Sequence, residues 1–152
     1  MGVFIMKIST KGRYGLKAMV DLAVNSINDS VTLKSISQRQ NISEGYLEQI
    51  FSSLRKEGLV KGRKGSQGGY VLAKSMNEIT VGNVLRALEG DLVVVERDDN
   101  QVVNEDKLDS CIRNNIWDRL NNAISEIVDS ITLEDLVINY NNLINSNYMY
   151  YI

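Results

Sequence analysis

The fold of this chain is decided by the stretch from Thr32 to Leu72, which reads TLKSISQRQNISEGYLEQIFSSLRKEGLVKGRKGSQGGYVL. Thr32 is a favourable N-cap for a helix that we expect to end near Asn41. Ser43 caps the next helix, and Gly58 ends that helix as a C′ residue. Only about three residues join the two helices, which is the spacing of a helix-turn-helix.

The second of these helices has one apolar face and one small, polar face. Its apolar residues recur at spacings of three and four, so they share the side that packs on the core. They are Leu47, Ile50, Phe51 and Leu54. The opposite side and its flank hold Gly45, Glu48, Gln49, Ser52 and Lys56. Small residues permit close approach, and amide or carboxylate groups can read base edges in a major groove. This face is a candidate reader of DNA, and an ordinary solvated helix surface is the alternative.

A basic, glycine-rich hairpin follows the helix pair. Two β-capable runs, 59–64 and 69–72, flank the sequence Gly65-Ser66-Gln67-Gly68. Lys61, Arg63 and Lys64 lie beside this tip, and such cations are favoured at a minor groove and its phosphates. Helix, turn, helix and hairpin in this order predict a winged helix-turn-helix, a mainly α fold with a small β-hairpin. A plain flexible turn is the alternative for the glycines.

The sequence as a whole predicts four segments. A winged-helix domain covers 7–90, with a first helix from Thr10 to Ser26 and a fourth from Val81 to Glu89. Residues 91–107 are acidic and lack periodicity, which indicates a flexible linker. A long helix follows over 108–131, and residues 132–152 form a short helix with an aromatic tail.

The long helix has an apolar stripe that a winged-helix domain does not need for its own core. The stripe contains Leu108, Ile112, Trp117, Leu120, Ile124 and Ile127. Packing against a second copy of the chain explains it better than packing on its own domain, so we predict a dimerisation helix.

Charge and composition narrow the function. The chain carries a net charge of −2, but residues 7–80 carry +6 and residues 81–152 carry −8. A basic front half suits a polyanion. Histidine is absent and Cys111 is the single cysteine, which argues against an enzyme and against a metal site. The sequence contains no run of about 18 apolar residues, so no membrane span is expected. We expect a cytoplasmic protein, with translation starting at Met1 or Met6.

Several short motifs resemble one family. The opening Met6-Lys7-Ile8-Ser9-Thr10-Lys11-Gly12-Arg13-Tyr14-Gly15, the run from Ile42 to Phe51 and Gly68-Gly69-Tyr70-Val71-Leu72 are similar to the Rrf-type bacterial transcriptional regulators. The resemblance implies a homodimer with winged-helix heads on a palindromic operator. It places a base-reading glutamate at Glu48 beside Gln49, a pair of helix contacts at Ser43 and Gly45, and a minor-groove contact at Lys64 beside Arg63. Tyr46, Ser52 and Arg55 complete the expected DNA-binding set.

The resemblance also bears on cofactors and partners. Cluster-binding members use three cysteines, of which this chain keeps only Cys111, with Asn114 where some members have a histidine. One thiolate cannot hold an iron–sulfur cluster, which needs about four ligands, so no cofactor is expected. We expect Cys111 to be a small buried apolar residue rather than a redox sensor. The tail from Asn147 to Ile152 is similar to that of cysteine-metabolism repressors, which implies O-acetylserine thiol-lyase (cysteine synthase) as a partner.

These observations favour a homodimeric repressor of cysteine or sulfur metabolism genes. Two alternatives stay open at this point: an iron–sulfur or redox-sensing regulator of the same family, and a protein-interaction module that does not bind DNA.

Overall fold

The computed structural model describes residues 7–65 and 68–149. In chain order the elements are α1 (Thr10–Asn25), α2 (Leu33–Gln40), α3 (Glu44–Lys56), β1 (Val60–Gly62), β2 (Tyr70–Leu72), α4 (Val81–Glu89), α5 (Asp99–Val103), α6 (Lys107–Ile112), a π-helical turn (Arg113–Trp117), α7 (Asp118–Ser130) and α8 (Leu133–Met149). The fold is mainly α with one two-stranded antiparallel hairpin, as predicted.

The helix-turn-helix begins and ends where the capping residues indicate. The Thr32 hydroxyl accepts from the Ser35 N–H at 3.1 Å, and the Ser43 hydroxyl accepts from the Tyr46 N–H at 3.2 Å. Asn41 ends α2 in the left-handed conformation with a φ of 55°, which asparagine tolerates better than most residues. The connection 41–43 therefore turns the chain tightly between α2 and α3.

The hairpin is fastened to the chain before α2. Val60 pairs with Leu72, and Gly62 pairs with Tyr70. On the other side of β2, Val31 and Tyr70 exchange two backbone hydrogen bonds of 2.8 and 2.9 Å. The wing thus extends from a short three-stranded arrangement and keeps a defined position relative to the helix pair.

The core of the winged-helix head (residues 7–90) includes residues from outside the head. Leu133 is fully buried and Val137 is buried in the same cluster as Met19, Leu22 and Phe51. The Leu133 N–H donates to the Ile79 carbonyl at 2.9 Å, which fixes the start of α8 beside the head. The start of the C-terminal segment 132–152, which was expected to be separate from the head, therefore packs in the core of the head.

Residues 91–107 differ from the expected irregular linker. They contain α5, capped by Asp98, and they bond to the long helix: the Asn121 side chain accepts from the Val94 N–H at 2.7 Å and donates to the Val95 carbonyl at 3.2 Å. Acidic composition indicated disorder, but capping side chains and tertiary hydrogen bonds order this backbone.

The long helix and α8 also differ from expectation. The helical run over 107–130 is interrupted by the π-helical turn, in which the backbone bonds skip one residue further than in an α-helix. Helix α8 has 17 residues and is longer than the short helix expected there. Its buried first turn anchors a helix that weak periodicity did not reveal. Of the predicted aromatic tail, residues 150–152 lie outside the described part of the chain.

Candidate nucleic-acid interface

Helix α3 separates core and surface as its periodicity predicts. Leu47, Ile50, Phe51 and Leu54 are fully buried. The reading face, which we define as Gly45, Glu48, Gln49 and Ser52, is exposed along its whole length. A methyl group built at Gly45 would meet no atom within 4 Å. Packing within the head therefore does not require glycine there, whereas close approach of a partner surface would.

The ends of α3 add polar groups to this surface. Ser43 is exposed, and its oxygen accepts from the Tyr46 N–H, which leaves the hydroxyl proton free to be donated. Arg55 is exposed near the other end. Tyr46 is half-buried, because its ring packs edge-on against Tyr14 with centroids 6.0 Å apart.

The wing presents its cations to solvent. Lys61, Arg63 and Lys64 are all exposed. The Arg63 N–H donates to the Gly69 carbonyl at 2.8 Å. Arg63 therefore lies at the hydrogen-bonded end of the hairpin and not in its tip. Gly69 has a φ of +143°, and a Cβ there would crowd Ser30 and the Val31 carbonyl at about 3 Å. Glycine at this position lets the wing lie against the turn before α2. Residues 66 and 67 of the tip lie outside the described range.

A buried carboxylate that the sequence analysis missed orients α2 on α1. The side chain of Asp21 is 1 % exposed, and it accepts from Arg39 Nε at 2.9 Å, from Arg39 Nη2 at 2.7 Å and from Gln40 Nε2 at 2.7 Å. A charged residue beside the apolar Met19 and Leu22 was the available signal. The contact fixes the C-terminal end of α2, where the turn into α3 begins.

A second missed contact joins the head to the long helix. Arg86 of α4 donates to both carboxylate oxygens of Asp129, at 2.5 and 3.0 Å. These hydrogen bonds and the charge of Arg86 hold the pKa of the Asp129 carboxyl below its ordinary value. A Cβ at Gly82 would overlap the Asp129 carboxylate, so glycine allows α7 to approach α4.

The predicted dimerisation residues lie along the surface of the long helix. Leu108, Ile112, Trp117, Leu120 and Ile127 are exposed, with Leu108 at 68 % and Ile127 at 60 %. Ile124 is half-buried and lines, with Leu85, Val93 and Val95, a groove of about 860 Å³ between α4, the segment 91–96 and α7. Apolar side chains this exposed on one helix are typical of a surface that contacts a partner.

No helix in the described part of the chain is long and apolar enough to cross a membrane.

Comparison with known proteins identifies the family. The Rrf2 family model, described as an iron-dependent transcriptional regulator, matches residues 8–139. The chain belongs to the Rrf2 family. It is 46 % identical to the HTH-type transcriptional regulator CymR of Bacillus subtilis (strain 168), over 97 % of this chain and 100 % of that one. It is 41 % identical to the HTH-type transcriptional regulator IscR of Pectobacterium carotovorum, over 88 % of this chain and 80 % of that one.

The solved structures agree with the sequence relatives. The structure described as CymR (YrzC), the global cysteine regulator of B. subtilis, superposes with a TM-score of 0.76 at 44 % identity, covering 89 % of this chain and 98 % of that one. These relatives are transcriptional regulators and not enzymes. The predicted winged-helix regulator of the Rrf type is therefore confirmed.

The iron that the family description implies does not fit the donor groups of this chain. The sequence has one cysteine and no histidine. In residues 7–65 and 68–149, no three or more Cys, Asp or Glu side chains are grouped so that they could hold a metal ion. An iron–sulfur cluster is held by several cysteine thiolates, and this chain can supply one. The expectation of a buried Cys111 is wrong: this residue is exposed, because α6 buries none of its residues within the protomer.

Proposed function

We propose that this protein is a homodimeric repressor that binds a palindromic operator and controls genes of cysteine or sulfur metabolism in the cytoplasm. One observation carries the DNA-binding part of the proposal. The reading face of α3 is exposed, free of bulky side chains and flanked by a wing whose cations all face solvent. A helix of this kind enters a major groove, while the wing reaches the neighbouring minor groove.

The residue roles follow from the chemistry of base edges. Glu48 can accept from the amino group of cytosine, and Gln49 can bond to adenine in a bidentate manner. Ser43 and Ser52 are short hydrogen-bonding groups on either side, and Gly45 allows the helix to approach. Arg55, Arg63 and Lys64 supply positive charge to phosphates or to a narrow minor groove. Tyr46, on the flank of α3, would contact the sugar–phosphate backbone of the DNA.

The dimer is proposed from the long helix. Its exposed apolar residues, Leu108, Ile112, Trp117, Leu120 and Ile127, need a cover that the described part of this protomer does not provide. A second copy would supply the same helix and place two α3 helices about one DNA turn apart, roughly 34–36 Å. The two-fold symmetry of such a dimer is the reason to expect a palindrome.

The regulated genes are proposed from the relatives. CymR of B. subtilis matches this chain along its full length, and its structure is described as that of the global cysteine regulator. The C-terminal residues Tyr148-Met149-Tyr150-Tyr151-Ile152 would serve as a docking peptide for O-acetylserine thiol-lyase. If deletion of these five residues leaves binding to that enzyme unchanged, the docking role is wrong.

The main test is footprinting on genomic DNA fragments with and without the thiol-lyase. We expect protection of a palindrome upstream of sulfur-metabolism genes, with an affinity that falls steeply as salt increases. A random duplex of equal length is the control. Equal affinity for the random duplex would contradict sequence-specific repression, and salt-insensitive association would indicate a module that does not bind DNA.

A further inference from the structure

The N-terminal half of α1 and the residues before it are rich in cations, and one of them, Lys11, lies beside the reading helix. Between residues 7 and 20 the sequence has four cations, Lys7, Lys11, Arg13 and Lys17, and no acidic residue. In a chain with an overall negative charge, such a local excess of cations indicates a polyanion nearby.

Two contacts fix this part of α1 to one flank of α3. The Lys11 Nζ donates to the Ser53 hydroxyl oxygen at 3.2 Å. Tyr14, one turn further along α1, packs edge-on against Tyr46. Ser53 and Tyr46 are seven residues apart on α3, so they lie on the same side of that helix. This side borders the reading face at Gln49.

The dimensions of DNA place this flank against a sugar–phosphate strand. An α-helix with its side chains is about 10–12 Å across, and the major groove is about 12 Å wide. A helix that enters the groove therefore fills it, and its flanks meet the two bordering strands. A cation held at the flank of α3 meets phosphates and not bases.

We infer that Lys11 of α1 is a phosphate-binding residue, held beside α3 by Ser53 and supported by the Tyr14–Tyr46 pair. This inference rests on the proposed function, because it assumes that α3 enters a major groove. It extends the DNA-binding surface from the helix-turn-helix and the wing to the first helix of the head. Each protomer contributes one such contact, so a dimer on a palindrome makes two.

The test is the salt dependence of operator binding by Lys11→Gln. The logarithm of the affinity falls with the logarithm of salt concentration with a slope of about −0.9 for each neutralised phosphate. Loss of two contacts should make the slope shallower by about 1.8. Between 50 and 200 mM salt, the loss of affinity should then be about twelvefold smaller than for the unmodified protein.

Three further variants separate a phosphate contact from a structural role. Lys107→Gln removes the same charge from α6 and should leave the slope unchanged. Lys11→Arg keeps the charge and should retain the slope. Ser53→Ala removes the tether but keeps the cation, so a phosphate contact predicts a slope close to that of the unmodified protein. If Lys11 only held α1 against α3, Ser53→Ala would reproduce the effect of Lys11→Gln.

The outcomes distinguish this inference from the proposed function. An unchanged slope for Lys11→Gln, in a protein whose binding still depends on Glu48 and Lys64, overturns the phosphate role and leaves the repressor intact. Salt-independent binding by the unmodified protein overturns both.

Discussion

Glu48 places a carboxylate on a face that we expect to meet a polyanion. Repulsion from phosphates opposes binding there, so a glutamate on the reading face makes physical sense when it accepts a hydrogen bond from a base. We expect Glu48→Ala to relax the preference for the operator over single-base variants by roughly tenfold, since a base contact discriminates by about 1–3 kcal/mol.

Competition gel shifts with operator duplexes altered one base pair at a time measure this effect. Glu57→Ala, at the far end of α3, removes the same charge outside the reading face and serves as the control. An operator preference that survives Glu48→Ala would mean that Glu48 does not read a base.

At Asp21 we expect a substitution to affect the stability of the head. Its carboxylate is buried, and Arg39 and Gln40 bond to it. Breaking a fully buried pair costs about 3–5 kcal/mol, but Arg39 is 39 % exposed, so we expect Asp21→Ala to lower the free energy of unfolding by about 2–3 kcal/mol. Urea denaturation measures this loss.

Two further variants serve as comparisons for Asp21→Ala. Asp21→Asn keeps one acceptor oxygen and should lose less stability, while Asp91→Ala at an exposed position should be close to neutral. Equal stability of Asp21→Ala and the unmodified protein would show that the contact with Arg39 carries no net free energy.

For single residues, local periodicity predicted well which side chains are buried, but it did not predict long-range polar contacts. Leu47, Ile50, Phe51 and Leu54 share a face because of the helical repeat, and that repeat is present in the sequence. The partner of Asp21 is 18 residues away on another helix, and no repeat connects the two. The burial of Cys111 was predicted wrongly for a related reason, since small apolar residues occur on either side of a helix.

Among the elements, the junction between α4 and α7 links the DNA-binding head to the long helix. The Arg86–Asp129 pair lowers the pKa of the Asp129 carboxyl. A carboxyl whose pKa is lower in the folded state stabilises the protein above its unfolded pKa, and this contribution is lost as pH falls through the folded pKa.

We therefore expect Asp129→Asn to lower the melting temperature at pH 7. The difference should begin to shrink below about pH 4, where the carboxyl of the unfolded chain becomes protonated, and should be lost as pH falls through the lower pKa of the folded state. Circular dichroism melts across this pH range measure it. Asp99→Asn, which removes an exposed carboxylate facing Arg97 at 3.4 Å, is the control. A melting difference that persists unchanged at pH 3 would show that the ion pair is not its cause.

The elements themselves were predicted to different extents. Helix α4 was predicted with the observed ends, because Thr80 and Gly90 mark them. Helix α5 and the length of α8 were not. The segment 91–107 is ordered through bonds such as Asn121 to Val94, and α8 begins with Leu133 in the core of the head. Both depend on packing that local composition does not contain.

The whole molecule exposes an apolar surface along its long helix. Leu120 lies in the middle of that surface at 43 % exposure. If two copies pack there, Leu120→Glu should bury a charge against its own copy and shift the protein to a monomer, while the exposed position keeps the protomer folded.

Sedimentation velocity measures the assembly, and gel shifts on full and half operators measure its consequence. Asn122→Glu, which lies about 200° around the helix from Leu120, adds the same charge and should remain dimeric. A Leu120→Glu protein that still sediments as a dimer would place the interface elsewhere.

The sequence by itself determined the winged helix, the reading face and the family, because each depends on local spacing: caps, a 3.6-residue repeat, glycines at a turn and a run of motifs. It also determined that the donor atoms for an iron–sulfur cluster are missing. Only the tertiary structure decided that α8 completes the core of the head, that Asp21 fixes α2, that Asp129 joins the head to the long helix and that Lys11 lies beside α3. These contacts join residues between 18 and 54 positions apart, as from Asp21 to Arg39 and from Ile79 to Leu133. Their free energy arises from burial and from charges brought together by folding, which no local pattern records.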